Sequence, residues 1–377
     1  MIALWAAVGG QVDVFCARQP GIHTYPEHCE QRNVKFHFGL SRTTTAWGYL
    51  ASREPKSASD FSIAANLERL SQLLIDIKPD IVVMDHIGST WCLPAVLSYK
   101  AKFSPSTRVI YTTHNEETST RLSIAREAGW FHGLPHIFDA VRIYFRDRSV
   151  LRSTDIMTCN TDHDKRKYLR LQNLPIAILP PLYTRGSVEA RNIDVSVPRG
   201  IAIVSGFRWS AKVLNLEHFL RAAESTLRDG GVSLSVIGRM DEVDKVRLSR
   251  AYPWAIFHGE VDSVEPYISG IRLGLLIDQA GGGFKHSMLT YAFNRIPVAA
   301  LESAVSDNCF RDHALISEDI PGLLRNVMAT IDDFETLNKL QSGMFLAAQI
   351  FRDGERNRRA LSEVLTMNGF FDPEIAS

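Results

Sequence analysis

Short apolar runs alternate with longer amphipathic stretches along most of the chain. Runs of roughly four to eight aliphatic and β-branched residues are typical of buried strands, and apolar residues three or four positions apart are typical of helices. In Ala64–Ile77, for example, Leu67, Leu70 and Leu74 recur at helical spacing. Strands that alternate with helices predict parallel sheets with helices on both faces, which is the α/β class.

Strands are predicted in both halves of the chain. In the first half they are Val12–Ala17, Val34–Phe38, Ile81–Met84, Val109–Thr112, Asp155–Cys159 and a run from Ile176 into Pro180-Pro181. The segment Tyr183–Arg199 is polar and follows neither period, so we predict a linker there. In the second half the strands are Ile201–Val204, Val232–Ile237, Ala255–His258, Leu273–Ile277 and Val298–Leu301.

The helical pattern also recurs on both sides of this linker. The predicted helices are Ile2–Val8, Ala64–Ile77, Leu93–Tyr99, a long region from Glu117 to Arg152 broken near Gly129 and Pro135, Asp162–Leu171, Asn215–Leu227, Val264–Ile268, Ser287–Asn294, Ile320–Asp332, Glu335–Gln349 and Glu355–Met367. A chain of 377 residues is long enough for two domains. We therefore expect an N-terminal Rossmann-like domain over 1–183, a second over 184–348 and a C-terminal helical segment over 349–377.

Composition narrows the cellular setting. Lys and Arg number 42, as do Asp and Glu, so the chain has no overall positive field to hold nucleic acid. The five cysteines are odd in number and include no CxxC pair, which is typical of a reduced, cytosolic protein. The first residues lack the pattern of a signal peptide, and no apolar run approaches the ~20 residues of a membrane span. We expect a cytoplasmic protein whose membrane contact, if it has any, is peripheral.

A triglycine turn carries the strongest candidate chemistry, because ligands bind beyond the carboxyl ends of strands in open parallel sheets. Gly281, Gly282 and Gly283 follow the strand Leu273–Ile277 and come just before a predicted helix. Glycines let the backbone approach a bulky anion, and the N–H groups that open a helix favour a phosphate or diphosphate. Lys285 would add a full positive charge. The alternative is a tight surface turn with a solvated lysine.

A second candidate loop follows the strand Ile201–Val204. Gly206 permits a sharp turn, and Arg208 and Lys212 are candidates to contact a diphosphate from the opposite side. The alternative is an ordinary loop with two solvated basic residues.

In the first half, His114 and Asp85 end two predicted strands in the same layer. His114 is a candidate to bind or deprotonate a hydroxyl group, and its alternative role is to cap a loop. Asp85 is a candidate base if the reaction needs one, although a structural role is slightly favoured for it.

These segments resemble the family-4-type GT-B glycosyltransferases that build bacterial polysaccharides. The resemblance runs in order from about Ile75 to Leu365, through His114-Asn115-Glu116, Ile156–Asp162, Ile178-Leu179-Pro180, Gly206–Lys212, Ile237-Gly238, His258–Val261, Gly281–Lys285 and Ile296–Ala299. It implies two facing Rossmann-like domains, with the donor held mainly by the second and the last helix crossing back to the first. It also implies sugar transfer from a nucleotide to an acceptor hydroxyl, without a metal ion and with the nucleotide sugar as substrate rather than as a cofactor.

Two features depart from that family. Its members often carry a Glu-x7-Glu pair, whose second glutamate binds the nucleotide ribose, and the aligned residues here are Gly282 and Thr290. Members also open with a strand and a glycine-rich loop, whereas Ile2–Val8 already matches the first helix. A sheet without its central strand leaves backbone groups unpaired. We therefore expect either that the true start lies upstream or that the gene is truncated.

The resemblance favours a cytoplasmic glycosyltransferase of polysaccharide or glycolipid biosynthesis, with a glycan or lipid-linked acceptor. Two alternatives stay open. A non-catalytic GT-B partner protein is favoured by the missing glutamates and the missing strand. A GT-B sugar-nucleotide epimerase would be expected to have more acidic and histidine residues in its cleft.

A basic stripe also lies in the first half. Arg142, Arg146, Arg148 and Arg152 alternate with apolar residues, and such a stripe is able to dock on anionic lipid at the inner face of the membrane. The favoured alternative is an ordinary solvated helix face, partly balanced by Asp147.

Overall fold

A computed structural model describes residues 2–7, 10–17, 33–207, 209–279, 283–305, 308–367 and 369. Two compact units account for this part of the chain. The first takes its described residues from 1–121, 135–180 and 354–377, and the second takes them from 122–134 and 181–353.

Two separate parallel sheets form in the first unit. Strands β1 (Val12–Ala17) and β2 (Val34–Gly39) pair with each other. The second sheet has the order β3 (Ile81–Asp85), β4 (Arg108–Thr113), β5 (Ile156–Cys159), β6 (Ile176–Ile178). Among the described residues, β3 therefore has a paired neighbour on one side only, which is β4. We expected an N-terminal sheet without its central strand, and the described strands are divided into two sheets between β1 and β3.

Helices make up much of the rest of the first unit, and one of them, α6, continues into the second. They are α1 (Ile2–Ala7), α2 (Ala46–Ala51), α3 (Lys56–Ser59), α4 (Ala64–Ile77), α5 (Leu93–Lys102), α6 (Glu117–Leu151), α7 (Asp162–Leu169) and, from the end of the chain, the last helix Gly354–Met367. Leu361 and Leu365 of the last helix are fully buried, and they belong to the same apolar cluster as Ile110 of β4 and Ile156 of β5. The end of the chain therefore completes the core of the first unit.

The long helix α6 is bent at one position. Gly129 has φ 76° and ψ 174°, while Pro135 lies inside the helix. A break near Gly129 was predicted and is present, whereas the predicted break near Pro135 is not.

In the second unit, six described strands form a fully parallel sheet with the order β12, β11, β10, β7, β8, β9. Their bounds are β7 Gly200–Val204, β8 Ser233–Ile237, β9 Ala255–Gly259, β10 Leu273–Leu276, β11 Val298–Leu301 and β12 Leu315–Ser317. All four residues of β10 and of β11 are buried. Because these strands are buried on both faces, their sequences are continuously apolar rather than alternating.

The helices of this unit lie on both faces of the sheet. They are α8 (Ser210–Asp229), α9 (Glu242–Ala251), α10 (Glu265–Ile268), α11 (His286–Phe293), α12 (Ile320–Thr330) and α13 (Phe334–Ala348). The last helix of the chain, Gly354–Met367, belongs to the first unit and is labelled α14. Leu216, Phe219 and Leu220 of α8 are fully buried on one face of the sheet, and Tyr291 and Phe293 of α11 lie in a second core cluster.

The observed units depart from the predicted boundaries in three places. The first unit ends at Pro180 rather than at 183, and the C-terminal segment that returns to it begins at Gly354 rather than at 349. Residues 122–134, which the sequence assigned to the first domain, belong to the second unit. Ile124 is buried there against Ala211 of α8, and this apolar contact explains the difference.

Candidate functional site

A buried polar cluster lies at the carboxyl end of β10 in the second unit. Asp278 follows this strand and is 6% exposed. Its Oδ1 atom lies 2.6 Å from the Lys212 Nζ atom and accepts a 3.2 Å hydrogen bond from the Asn215 amide. The Ser303 hydroxyl donates to its backbone carbonyl at 2.6 Å. Residues from α8 and from the segment after β11 therefore meet at one strand end.

Lys285 adds a second cation to this cluster. It is 7% exposed and comes directly before α11. Burial alone would raise the pKa of Asp278, but the charges of Lys285 and Lys212 hold that pKa below its usual value. Two lysines thus surround one ionised carboxylate, and the strand end carries a net positive charge with little access to water.

The turn before α11 has the geometry that favours glycine at one described position. Gly283 has φ 72°, in the left-handed region where a side chain is strained. The first N–H groups of α11 have no partner within the helix, and they add partial positive charge at its start. Gly281, Gly282 and Arg208, three of the sequence-predicted donor residues, lie outside the described residues.

The structure gives the local geometry of two further sequence-predicted donor residues, Gly206 and Thr290. Gly206 was predicted to permit a sharp turn, yet its φ is not positive and an added Cβ would meet no atom within 4 Å. Thr290 lies inside α11, is 9% exposed and points its hydroxyl at the backbone carbonyl of His286, 3.4 Å away. The structure therefore shows no steric need for glycine at position 206. The Thr290 hydroxyl contacts a backbone carbonyl of its own helix.

A tyrosine of α11 supports the strand that precedes the Gly206 loop. The Tyr291 hydroxyl donates to the carbonyl of Ala202 at 2.9 Å and accepts from the Val204 N–H group at 2.8 Å. Its ring lies where a Cβ on Gly274 would approach to 2.7 Å. Glycine at this position of β10 thus lets Tyr291 reach β7 and fix its carboxyl end.

In the first unit, Asp85 and His114 come together at the carboxyl ends of β3 and β4. The His114 Nε2 atom lies 3.0 Å from the Asp85 Oδ1 atom, and both side chains are about half exposed, at 47% and 54%. Asn160, at the end of β5, places its amide nitrogen 3.5 Å from His114 Nδ1. Since a carboxylate only accepts hydrogen bonds, we assign the ring proton to Nε2, which leaves Nδ1 as the accepting atom.

The Asp85–His114 pair shifts the pKa of both groups. The hydrogen bond to Asp85 raises the pKa of His114, against the effect of partial burial. Burial would raise the pKa of Asp85, but the hydrogen bond and charge of His114 lower it below its usual value. The pair therefore increases the proton affinity of the imidazole and keeps the carboxylate beside it ionised.

A second histidine lies against this pair. His86 is 5.8 Å from His114, measured between ring centroids, and its Nε2 atom is 2.8 Å from the Glu117 Oε1 atom. Its Nδ1 atom accepts from the Gly88 N–H group at 3.1 Å, so Nε2 carries the proton. His86 also has φ 69° and ψ 158°, a backbone conformation that is costly for any residue but glycine. The fold thus holds this ring with both nitrogens engaged.

A buried carboxyl group lies below these residues. Asp147 of α6 is 1% exposed and accepts a 3.1 Å hydrogen bond from the Tyr111 hydroxyl. Burial raises the pKa of Asp147 to about 8. The first unit therefore holds a carboxyl group that is protonated near neutral pH.

The sequence missed several members of both clusters. Asp278 is a single acid after a strand, and its main partner Lys212 is 66 residues earlier, so no motif reveals the pair. Asn160 also follows a strand, and its position at a strand end was the available signal. Glu117 was visible only as part of the loop after His114.

The described residues lack a metal-binding cluster and a membrane-spanning helix. They contain no group of three or more His, Cys, Asp or Glu side chains arranged to hold a metal ion. No helix among them is both long and apolar enough to span a bilayer.

Comparison with known proteins finds similarity in structure only. No protein-family model matches the chain, and no curated protein does. The trehalose 6-phosphate synthase of Burkholderia multivorans is 11% identical, with 90% of this chain and 86% of that chain covered and a TM-score of 0.61. Anabaena HepE, solved with UDP-glucose, is 11% identical, with 90% and 88% covered and a TM-score of 0.59.

A third similar structure is TarM, known from S. aureus. It is 11% identical, with 81% of this chain covered and a TM-score of 0.58. This chain spans 59% of the length of TarM and 59% of the length of the pneumococcal transferase GtfA. At these identities the likeness concerns the fold. The described chain has the GT-B fold of these glycosyltransferases, with two Rossmann-like units and a last helix that packs in the first.

Proposed function

We propose that this protein transfers a sugar from a nucleotide-sugar donor to an acceptor hydroxyl in polysaccharide or glycolipid biosynthesis. The observation that carries the proposal is the buried cluster of Lys212, Asp278 and Lys285 beside the start of α11. Similar structures support it, because HepE was solved with UDP-glucose and TarM with UDP.

The positive cluster suits the departure of a nucleoside diphosphate. When the bond to the anomeric carbon breaks, negative charge grows on the leaving phosphate. Lys285, Lys212 and the opening N–H groups of α11 would stabilise that charge, and charges fixed before the reaction avoid the cost of reorganising water. Asp278 holds the Lys212 ammonium group in place through its 2.6 Å contact.

The Asp85–His114 pair suits proton transfer from an acceptor. His114 Nδ1 is the accepting atom, and Asp85 stabilises the imidazolium that forms when it takes a proton. If the reaction inverts the anomeric centre, His114 acts as the base and Asp85 orients it. If the configuration is retained, neither residue needs to act as a base.

Three finer points belong to the same proposal. The two lysines supply the charge that a metal ion would otherwise supply, so we propose a metal-independent reaction with the nucleotide sugar as substrate. We also propose a cytoplasmic location, peripheral at the inner face of the membrane. A glycan or a lipid-linked glycan is the proposed acceptor.

A thermal-shift screen against UDP-, GDP-, ADP- and dTDP-sugars tests donor binding. A ligand that binds only the native state raises its stability by ~2.7 kcal/mol at a hundredfold excess over its dissociation constant. Product analysis with the best donor then separates three outcomes. Transfer or slow donor hydrolysis supports the proposal, an epimerised donor indicates an epimerase, and binding without any product indicates a non-catalytic protein. If no nucleotide sugar changes the melting temperature, the proposal is wrong.

A further inference from the structure

The second half of α6 carries an exposed stripe that is first apolar and then cationic. Phe138, Val141 and Phe145 are 58%, 49% and 66% exposed, and Arg148 and Arg152 are also exposed. These five residues lie three or four positions apart, so they share one face of the helix. Exposed aromatic side chains at helical spacing are unusual on a surface that meets only water.

The acids of this helix segment point inward. Asp139 is 5% exposed and accepts hydrogen bonds from Arg121 at 2.9 Å and from the Tyr49 hydroxyl at 2.7 Å. Asp147 is buried as well, so it does not balance the surface arginines as the sequence suggested. The exposed residues from 135 to 152 are Pro135, Ile137, Phe138, Val141, Phe145, Arg148, Ser149 and Arg152. This face has no negative charge.

Helix α2 extends the same surface. Its Tyr49 ring packs 4.3 Å from the guanidinium carbon of Arg142, which ties α2 to α6. Two residues earlier, Trp47 is 83% exposed. An open groove of about 420 Å³ runs beside Val141 and Phe145, and Arg53, which is exposed, also lines it.

We propose that this surface, formed by Trp47, Arg53 and the stripe Phe138–Arg152, docks the first unit on a bilayer that contains anionic phospholipids. Aromatic and aliphatic side chains gain free energy when they enter the interface between headgroups and acyl chains, and tryptophan is enriched there. Arginines at the same level pair with lipid phosphates. With both acids buried, nothing on this face of α6 repels an anionic surface.

A second copy of the chain fits this face less well. In a two-fold symmetric pair the same patch meets itself. Parallel stripes would bring Arg148 and Arg152 against their own copies, and antiparallel stripes would bury them against phenylalanine. Either arrangement buries arginine without a carboxylate partner, which is costly. Lipid phosphates supply the missing negative charge.

Vesicle binding of the full chain tests the proposal without any sugar transfer. A negative result would therefore not count against the proposed transferase function. The docking proposal rests on that function only for its cellular setting. Flotation is measured with phosphatidylcholine vesicles and with vesicles that also contain phosphatidylglycerol. We expect binding to the mixed vesicles that weakens, without vanishing, as salt screens the arginines. No flotation with the mixed vesicles at low salt would overturn the proposal.

Two double variants separate the apolar and the cationic contributions. Neutralising the arginines in R148Q/R152Q should weaken binding by about 25-fold, at roughly fivefold for each arginine. F138S/F145S should remove the binding that persists at high salt. The control V243S/R250Q changes an exposed valine and an exposed arginine of α9 in the second unit, and it should bind as the wild type does.

Self-association is measured in parallel by analytical ultracentrifugation, and folding of each variant by its melting curve. If the wild type is a dimer that F138S/F145S dissociates, and it does not float with vesicles, the surface is a self-association face and the proposal is wrong. Equal vesicle binding by the wild type and both stripe variants would also overturn it. A protein that binds this face instead of lipid would leave the wild type unbound to every vesicle.

Discussion

In both units, a cluster of polar side chains lies at the carboxyl ends of the parallel strands. The two clusters differ in burial and in the kind of charge they contain. In the second unit, Asp278 and Lys285 are 6% and 7% exposed. In the first, Asp85 and His114 are about half exposed, at 54% and 47%. The buried cluster is built around two lysines and one carboxylate, while the exposed pair consists of a histidine and a carboxylate.

Under the proposed function, this difference corresponds to a division of chemical work. A fixed positive charge with little access to water is effective at stabilising a leaving phosphate. An exposed imidazole, whose proton affinity is set by one carboxylate, is suited to exchange a proton with a hydroxyl group. The comparison therefore predicts that variants in the second cluster change transfer at every pH, and that variants in the first change how transfer depends on pH.

Replacing Lys285 by Met should have the largest effect. Under the proposed function the leaving phosphate loses a buried cation, so we expect kcat to fall about a thousandfold, at the upper end of what one electrostatic group contributes. Steady-state kinetics with the donor identified by thermal shift measure this. K339M, at an exposed lysine of α13, is the matched control and should keep wild-type activity.

The double variant D278N/K285M separates catalysis from stability. K285M leaves the buried carboxylate of Asp278 with one cation fewer, so its melting temperature should fall. Removing that carboxylate as well should restore much of the stability but none of the activity. Recovery of activity together with stability would show that Lys285 acts only on the fold.

Replacing His114 by Asn should lower kcat by about a hundredfold if the reaction inverts the anomeric centre, because a general base contributes at least that much. H163N, at an exposed histidine of α7, is the control. An H114N variant with wild-type kcat would exclude a base at this position, and the stereochemistry of the product would then be expected to show retention.

The pH dependence of the unfolding free energy tests whether Asp147 is protonated in the folded protein. Its pKa is about 8 in the folded protein, against 3.8 for the free group. Between these values the folded state holds a proton that the unfolded state has lost, so the stability contributed by this group falls as pH rises. One such proton changes the unfolding free energy by ~1.4 kcal/mol per pH unit, or about 2 kcal/mol from about pH 5.5 to about pH 7.

The variant D147N lacks this proton linkage. The unfolding free energy of D147N minus that of the wild type should therefore increase as pH rises over that interval. Urea unfolding of both proteins at several pH values measures this difference. Parallel stability curves for the two proteins would mean that Asp147 is ionised in the folded state.

Replacing Asp85 by Asn should have the smallest effect on the maximal rate and a clear effect on pH dependence. Asp85 raises the pKa of His114, and a base must be unprotonated to act. Without the carboxylate, the acid limb of the pH–rate profile should move to lower pH. The profile of kcat against pH for wild type and D85N measures this. An unmoved acid limb would assign that limb to another group.

The sequence predicted most of the elements that bury a periodic apolar face. Ala64–Ile77 was predicted with its observed bounds, because its buried leucines recur at helical spacing. The helix Glu242–Ala251 was missed, since only Leu248 of its residues is buried and no apolar stripe marks it. Ala46–Ala51, Lys56–Ser59 and Leu315–Ser317 are too short to show a period.

Prediction of the candidate site was less complete, for a geometric reason. Position after a strand pointed to Asp85 and His114, and the structure brings these two together. The same logic located Lys212 and Lys285, but it gave no sign of Asp278, whose role depends on residues distant in sequence. Spacing along a chain reveals ligands of one loop, whereas a charge cluster assembled from several strand ends becomes visible only when the sheet forms.

The chain passes between the two units four times in its described part, at 121/122, 134/135, 180/181 and 353/354. Cutting the gene at the apparent linker near Pro180 would therefore give two defective fragments. The fragment 181–377 would lack Ile124 and expose Ala211 to water, and the fragment 1–180 would lose Leu361 and Leu365. A soluble second half would be easier to obtain with 122–134 grafted back by a short connector.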